Sequence, residues 1–360
     1  MLGRIHPTTL RVIVLFFVLV LVALFFSTQI DRYLTPRLFT RISTSVAIIA
    51  ILAVGQAIVV LTRNIDLSLG SIVGCVAYFI GSLVSAFPDI PAVLVPVIAM
   101  AMGAVFGAVN GLLVSRLNLP SIIVTLATLA IFRSLVVEAS DGRSITATAM
   151  PDWITNFARA NALVIGDFQI RWIVVVALVV VLCVHVFLTR FRAGRRFYAA
   201  GSNPDAATYA GINVKQTVLL AFLLSGALAG LAAFIFLARF GNITVVAGLG
   251  FELKSVGAVG VGGVNIFGGS GSVIGVLLGA VMIDLIDSSL VRWELVSEFW
   301  RDAVLGLLIL FAVALDAFLT RSLARRKKSA AKEEAAEERV IDPPPAGSPA
   351  SAKSGGGAHG

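Results

Sequence analysis

The sequence contains few charged residues, few histidines and almost no cysteine, and each shortage excludes a class of protein. Charged residues make up 13% of the 360 residues, about half the share found in an ordinary soluble domain. The only two cysteines, Cys75 and Cys183, lie inside apolar runs, so neither a disulfide framework nor a metal-ligand spacing is available. The three histidines are widely separated. We therefore expect no catalytic residue, no metal site and no cofactor on this chain.

Long apolar runs are what the sequence has instead, and hydrophobic residues make up 58% of it. A run of about 20 apolar residues is long enough to cross a bilayer as a helix. The sequence therefore predicts an all-α polytopic membrane protein with about ten transmembrane helices. The expected spans are residues 11–30, 43–61, 67–86, 91–115, 120–138, 171–189, 217–238, 252–265, 271–290 and 300–319.

The net charge of +8 does not indicate nucleic-acid binding, because the basic residues form short clusters at the ends of apolar runs. Such clusters are typical of cytoplasmic segments. Two of them, within 190–215 and 321–328, predict that both termini lie in the cytoplasm. We expect a cytoplasmic N-terminus at 1–10, a transmembrane domain at 11–320 and a disordered cytoplasmic tail at 321–360.

Two of the apolar segments are interrupted. The segment 252–265 contains only about 14 residues, too few for a helix that crosses about 30 Å, and a glycine-rich turn follows it at 268–271. We expect a half-helix there, and a similar break at 62–66. A phosphate-binding loop is excluded at the turn, because no lysine follows the glycines.

The loop at 190–216 contains a short helix signal. Asn203 suits the N-cap, Pro204 the first helical position, Asp205 the positive end of the helix dipole and Gly211 the C-terminal cap. The predicted helix at 204–210 is too short to be stable alone in water. It must pack either against its own chain or in a groove of a cytoplasmic partner.

Charged residues inside spans are costly and usually face a cavity or a partner. Arg133 lies about halfway along its span, and Asp284 and Asp287 share one helix face. These three are candidates for a substrate pathway. Asp66 lies near a span end, where a charged side chain that reaches the interface is an equally good explanation.

Several motifs, in order along about 40–320, resemble those of ribose-type ABC importer permeases. Similarity to rhamnose and autoinducer-2 permeases is greatest around 62–66 and 283–288, whereas most ribose-type members have Gly-Gly at 63–64 and Asn-Asn-Gly near 287–289. The matching segments are L-T-R-N-I-D-L-S-L-G-S at 61–71, N-G-L-L-V at 110–114, P-S-I-I-V-T-L at 120–126, G-R-R-F-Y-A-A-G-S-N at 194–203, G-F-E-L at 250–253 and G-G-V-N-I-F-G-G-S-G-S at 262–272.

This resemblance implies an importer permease fold in the bacterial inner membrane, surrounded by lipid. The cargo would be a monosaccharide or sugar-like molecule, with rhamnose or autoinducer-2 as the best candidates, delivered by a periplasmic sugar-binding protein. The expected partners are a second permease copy or a paralogue, and two ATP-binding subunits that carry the ATP and magnesium and hydrolyse the ATP.

The resemblance also assigns site residues. The loop 190–216 would couple the chain to the ATP-binding subunits through Gly201, Asn203, Pro204, Ala206, Ala207, Gly211 and Ile212. Apart from the resemblance, the intramembrane charges and the polar residues of the matching motifs predict a substrate pathway that includes Asp66, Asn110, Thr125, Arg133, Asp284 and Asp287. The alternative is an ion- or proton-coupled secondary sugar transporter, which would explain the broken spans but leave the capped loop helix without a role.

Overall fold

The computed structural model describes residues 7–293 and, beyond them, residues 297, 300, 302–304, 306–307 and 310. This part of the chain is mainly helical, with one short β-hairpin. In chain order the elements are α1 (Pro7–Gln29), α2 (Pro36–Leu61), α3 (Leu69–Ala86), α4 (Leu94–Leu117), α5 (Ser121–Ser140), a 3₁₀ turn (Ala147–Ala149), α6 (Asp152–Arg159), β1 (Asn161–Ile165), β2 (Phe168–Arg171), α7 (Trp172–Arg190), α8 (Arg192–Ser202), α9 (Pro204–Tyr209), α10 (Val214–Phe240), α11 (Phe251–Val261) and α12 (Val273–Leu290).

Eight helices in the described part of the chain are long and apolar enough to cross a membrane: α1, α2, α3, α4, α5, α7, α10 and α12. The predicted all-α polytopic fold is therefore confirmed. The half-helix predicted within 252–265 is present as the 11-residue helix α11, which rises only about 16 Å. The predicted span at 300–319 and the tail at 321–360 fall largely or wholly outside the described residues.

The centre of the bundle is α2, which is buried without interruption from Val46 to Leu61. A helix that is apolar on every side must be enclosed by other helices or by lipid, and α2 is enclosed by helices. By contrast α1 exposes Phe17, Leu21 and Leu24 along its length. In a membrane protein such a surface faces lipid or a neighbouring subunit.

Helices α4 and α10 are in close backbone contact through glycines spaced four residues apart, at 103, 107 and 111 on α4 and at 226 and 230 on α10. A Cβ atom at Gly103 would overlap the carbonyl oxygen of Gly226, and one at Gly226 would overlap that of Gly103. Small residues at this spacing let membrane helices approach closely. The pattern was present in the sequence, and it explains how α10 reaches the centre of the bundle.

The segment between α5 and α7 contains more structure than the sequence analysis anticipated. It includes α6 and a hairpin in which Val164 pairs with Gln169 and Ile165 with Phe168. The hairpin turn, Gly166-Asp167, is a two-residue loop of the kind that favours tight hairpins. An isolated bridge between Ile145 and Ile243 joins this segment to the chain that follows α10.

Both predicted breaks are present. Residues 62–68 separate α2 from α3, and residues 262–272, which include the glycine-rich turn, separate the short α11 from α12. The break at 62–68, the end of α8 and the turn at 268–271 all lie at one end of the bundle. The Gly269 amide donates to Leu61 O over 3.0 Å, and a Cβ atom at Gly201, near the end of α8, would overlap the same oxygen. We call this end the α9 end, because α9 directly follows α8.

Candidate functional site

The carboxylate of Asp66 lies in the break after α2 and is completely buried. Its Oδ1 atom accepts hydrogen bonds from the backbone amide of Ser68 over 2.9 Å and from Ser68 Oγ over 2.6 Å. Asp66 is therefore not a side chain that extends to the membrane interface. It holds the first residues of α3 from inside the protein.

Two amide side chains complete this arrangement. Asn110 Nδ2, on α4, donates to Ser68 Oγ over 2.7 Å. The amide of Gln56, on α2, bonds both backbone groups of Asp66, donating to its carbonyl over 3.1 Å and accepting from its N–H over 3.2 Å. Backbone that leaves a helix at membrane depth must find such partners inside the protein, and here side chains supply them.

A third helix contributes through hydroxyl groups. Ser121 Oγ, at the start of α5, accepts from the amide of Ile65 over 3.2 Å. Thr125 Oγ1 donates to Ser121 O over 2.8 Å and lies 3.4 Å from Ile65 O. We call the six residues Gln56, Asp66, Ser68, Asn110, Ser121 and Thr125 the Asp66 cluster.

The Asp66 cluster brings together three of the six predicted pathway residues, Asp66, Asn110 and Thr125. Two buried acceptor atoms within it, Asp66 Oδ2 and Asn110 Oδ1, have no hydrogen-bond partner among the described residues. A buried acceptor without a donor is costly. These two atoms are therefore free to accept a further hydrogen bond.

A second polar cluster joins α2, α11 and α12. Lys254 Nζ, on the half-helix α11, lies 2.6 Å from Asp287 Oδ2 on α12, and both side chains are largely buried. One turn earlier on α12, Asp284 Oδ1 accepts from Ser45 Oγ over 2.7 Å. We call Ser45, Lys254, Asp284 and Asp287 the Asp287 cluster. Sequence analysis predicted the two aspartates but not their partners.

Arg133 belongs to neither cluster. Its Nη1 atom donates to main-chain carbonyls, those of Ala247 over 2.9 Å and Val245 over 3.4 Å. Both carbonyls lie in the irregular segment 241–250. Arg133 therefore supports the backbone that leads into α11, much as the Asp66 cluster supports the break after α2.

The predicted loop helix is present as α9. Asn203 Oδ1 accepts from the Ala206 amide over 3.0 Å, as an N-cap should, and Gly211 has a φ of +78° just after the helix. The amide of Ile212 then donates to Ala207 O over 2.9 Å. The six residues run from Pro204 to Tyr209, one fewer than predicted.

One side of α9 packs on its own chain and the rest faces outward. Ala207 is the residue of α9 that is buried, whereas Tyr209 is 92% exposed. Packing against its own chain is therefore observed for one face of this helix, and docking of the other face on a partner stays a prediction. Sequence analysis missed Tyr209, although an aromatic residue on a short polar helix is a signal for a docking surface.

A further feature missed from the sequence is an arginine-lined cavity of about 470 Å³ at the opposite end of the bundle from α9. It lies between the start of α2, the hairpin and the end of α10. Its charged lining consists of Arg37, Arg41, Arg171, Arg239 and Asp167. These residues lie in three separate segments of the sequence, so no local motif indicates that they meet.

Comparison with known proteins gives a consistent result. A family model described as "branched-chain amino acid transport system / permease component" matches residues 38–313. An autoinducer 2 import system permease protein LsrC from Enterobacter sp. (strain 638) is 36% identical over 293 residues, covering 81% of this chain and 82% of that protein. LsrC from Escherichia coli (strain K12 / DH10B) is 34% identical over 297 residues, covering 82% and 84%. LsrC from Salmonella paratyphi B is 34% identical over 295 residues, covering 82% of each.

Proposed function

We propose that this chain imports autoinducer 2. It belongs to the family of permease components of bacterial transport systems and, within that family, to the ribose-type ABC importers. The observation that carries the proposal is the similarity to LsrC permeases, which extends over more than four fifths of both chains. Rhamnose, the other candidate from the sequence, is the competitor that an experiment must separate from autoinducer 2.

The cargo path in this proposal passes beside the Asp66 cluster. Asp66 Oδ2 and Asn110 Oδ1 are buried acceptors, and a sugar-like cargo carries several hydroxyl donors. Thr125 adds a hydroxyl at the same place. The other proposed pathway residues, Arg133, Asp284 and Asp287, surround α11, whose short length leaves room for movement between full spans.

The docking site for the ATP-binding subunits in this proposal is α9. Its outward face and the N-cap at Asn203 present a short, preformed helix, and Gly201, Pro204, Ala206, Ala207, Gly211 and Ile212 set its shape. Rigid-body displacement of such a helix is a recognised way to transmit a conformational change. This role explains why Tyr209 is left exposed.

The assembly that follows comprises a second permease copy or a paralogue, two ATP-binding subunits and a periplasmic binding protein. ATP and magnesium are bound and ATP is hydrolysed on those partner subunits, and this chain is not an enzyme. In the inner membrane both termini face the cytoplasm. The position of Arg11 near Gly263 supports the orientation of the N-terminus, because it puts the start of α1 close to the turn that follows α11, at the α9 end.

The docking role of α9 is tested by replacing its exposed aromatic residue. For Tyr209→Ala we expect roughly tenfold or greater loss of affinity for the purified ATP-binding subunits, because tyrosines at interfaces are often dominant contacts. The matched control is Phe87→Ala, an exposed aromatic at the far end of α3. Equal affinity of the wild type and Tyr209→Ala would remove α9 from the interface.

The cargo is tested by uptake competition. Vesicles that contain the permease and its ATP-binding subunits are supplied with the binding protein and labelled autoinducer 2, and unlabelled rhamnose, ribose and xylose compete. We expect only unlabelled autoinducer 2 to compete effectively. Stronger competition by rhamnose would assign the other cargo, and the ABC importer function would stand.

A further inference from the structure

Arg63 is the second residue after the end of α2, following the C-cap Thr62, and its φ is +66°. This left-handed conformation favours glycine and costs free energy in residues with a side chain. A bulky residue persists in it only where other interactions compensate. The contacts of the arginine side chain show what the compensation is.

The guanidinium of Arg63 bonds the last carbonyls of α8. Its Nε donates to Gly201 O over 2.5 Å and its Nη2 donates to Ser202 O over 2.7 Å. Carbonyls at a helix C-terminus lack intrahelical partners and carry partial negative charge. A cation that makes two hydrogen bonds to them forms a strong and directional contact.

The backbones at this place are also in direct contact. A Cβ atom at Gly201 would overlap the carbonyl oxygen of Leu61, the last residue of α2. That same oxygen accepts from the amide of Gly269 over 3.0 Å. The end of α2, the end of α8 and the turn before α12 therefore meet at one place, and the Arg63 guanidinium bonds α8 beside this contact.

The Arg63 contact lies between two parts of the site, the cap of α9 and the break that holds Asp66. On one side, Ser202 immediately precedes Asn203, which caps α9. On the other, Arg63 is followed three residues later by Asp66, which the Asp66 cluster holds. The guanidinium thus connects the exposed helix α9 to the buried break by a path of only a few residues.

We propose that Arg63 is a positioning residue that transmits displacement of α9 to the break between α2 and α3. The inference rests on the proposed function, in which the ATP-binding subunits move α9. When α9 and the end of α8 move, the two hydrogen bonds carry residue 63 with them. The backbone of Asp66, and with it the buried acceptor Asp66 Oδ2, then changes position.

The test uses Arg63→Gly in the reconstituted complex of the full-length permease with its ATP-binding subunits and binding protein. Glycine suits a φ of +66°, so we expect the variant to fold and to assemble with the ATP-binding subunits as the wild type does. Without the guanidinium, we expect the amount of cargo imported per ATP hydrolysed to fall roughly tenfold. This factor corresponds to the net free energy of about one hydrogen bond to a charged group. Arg63→Lys keeps the charge but not the two-pronged geometry, and should restore part of the ratio.

The matched control is Arg32→Gly, because Arg32 is also an arginine in the left-handed region, with a φ of +51°, and is exposed near the other end of α2. We expect its import per ATP to equal that of the wild type. An unchanged ratio in Arg63→Gly would overturn the inference. So would a fall in assembly that accounts for all the lost import, since that would make Arg63 merely structural.

The failure of the inference and that of the proposed function are distinguishable. If Tyr209→Ala weakens binding of the ATP-binding subunits while Arg63→Gly imports normally, α9 keeps its role and Arg63 loses its own. If import needs no ATP in the wild type, the proposed function fails.

Discussion

The Asp66 cluster and the Asp287 cluster are both polar groups buried in an apolar bundle, but they are stabilised differently. In the first, neutral amides and hydroxyls surround one carboxylate and bond the backbone of a broken segment. In the second, a lysine and a carboxylate on separate helices lie 2.6 Å apart. The first cluster shapes the chain, and the second holds a half-helix to its neighbour.

The difference predicts which substitutions each region tolerates. A charge pair loses most when one member is removed, because the other remains charged and buried. A network of neutral donors loses one hydrogen bond at a time. The effects should therefore be large and reversible by a second substitution at the Asp287 cluster, and smaller and graded at the Asp66 cluster.

The largest effect is expected for Lys254→Met, which leaves Asp287 buried without its lysine. We expect a loss of about 3–5 kcal/mol in stability, measured as thermal unfolding in detergent. The double variant Lys254→Met with Asp287→Leu should recover most of that loss, because it removes both charges. Arg143→Met disrupts an exposed pair with Asp141, 3.5 Å apart, and should change nothing measurable. If the double variant were no more stable than the single one, the charge-pair account would be wrong.

A smaller effect is expected for Asp66→Ala, which removes the acceptor of both Ser68 donors. We expect a loss of about 1–3 kcal/mol, measured by the same unfolding assay, and strongly reduced import. Asp66→Asn keeps one oxygen in place and should lose less stability. Identical unfolding of the alanine and asparagine variants would argue that the carboxylate does not organise the break.

The smallest effect is expected for Thr125→Val. Its hydroxyl bonds mainly within its own helix, 2.8 Å from Ser121 O, and lies 3.4 Å from Ile65 O. We expect a stability loss below about 1 kcal/mol and only a modest change in import rate. A loss as large as that of Asp66→Ala would mean that the contact to Ile65 is a principal support of the break.

Much of the fold could be predicted because apolar runs and caps are local signals. The span at 43–61 was nevertheless predicted seven residues too short, since α2 begins at Pro36. Arg37 and Arg41 interrupt the apolar run, yet Thr35 caps the helix and Pro36 occupies its first position, a start signal that outweighs hydropathy. The helix α8 was missed because its two glycines and basic residues resemble a loop.

The candidate site could be predicted only in part. Asp66, Asn110 and Thr125 were named, and the short helix after Asn203 was placed correctly, because its capping residues are neighbours in the sequence. The partners Ser45 and Lys254 were not found, since they lie 239 and 33 residues from the aspartates they contact. Periodicity indicates which residues share a helix face, but it does not reveal which faces meet.

The most direct test of the account is the energy source for import. Vesicles that contain the permease and its ATP-binding subunits, with binding protein and labelled autoinducer 2 at the opposite face, are compared with and without ATP, and with ion gradients imposed or collapsed. The account predicts import that requires ATP and the ATP-binding subunits and does not change when the gradients are collapsed. Import driven by an ion gradient through the permease alone would contradict it.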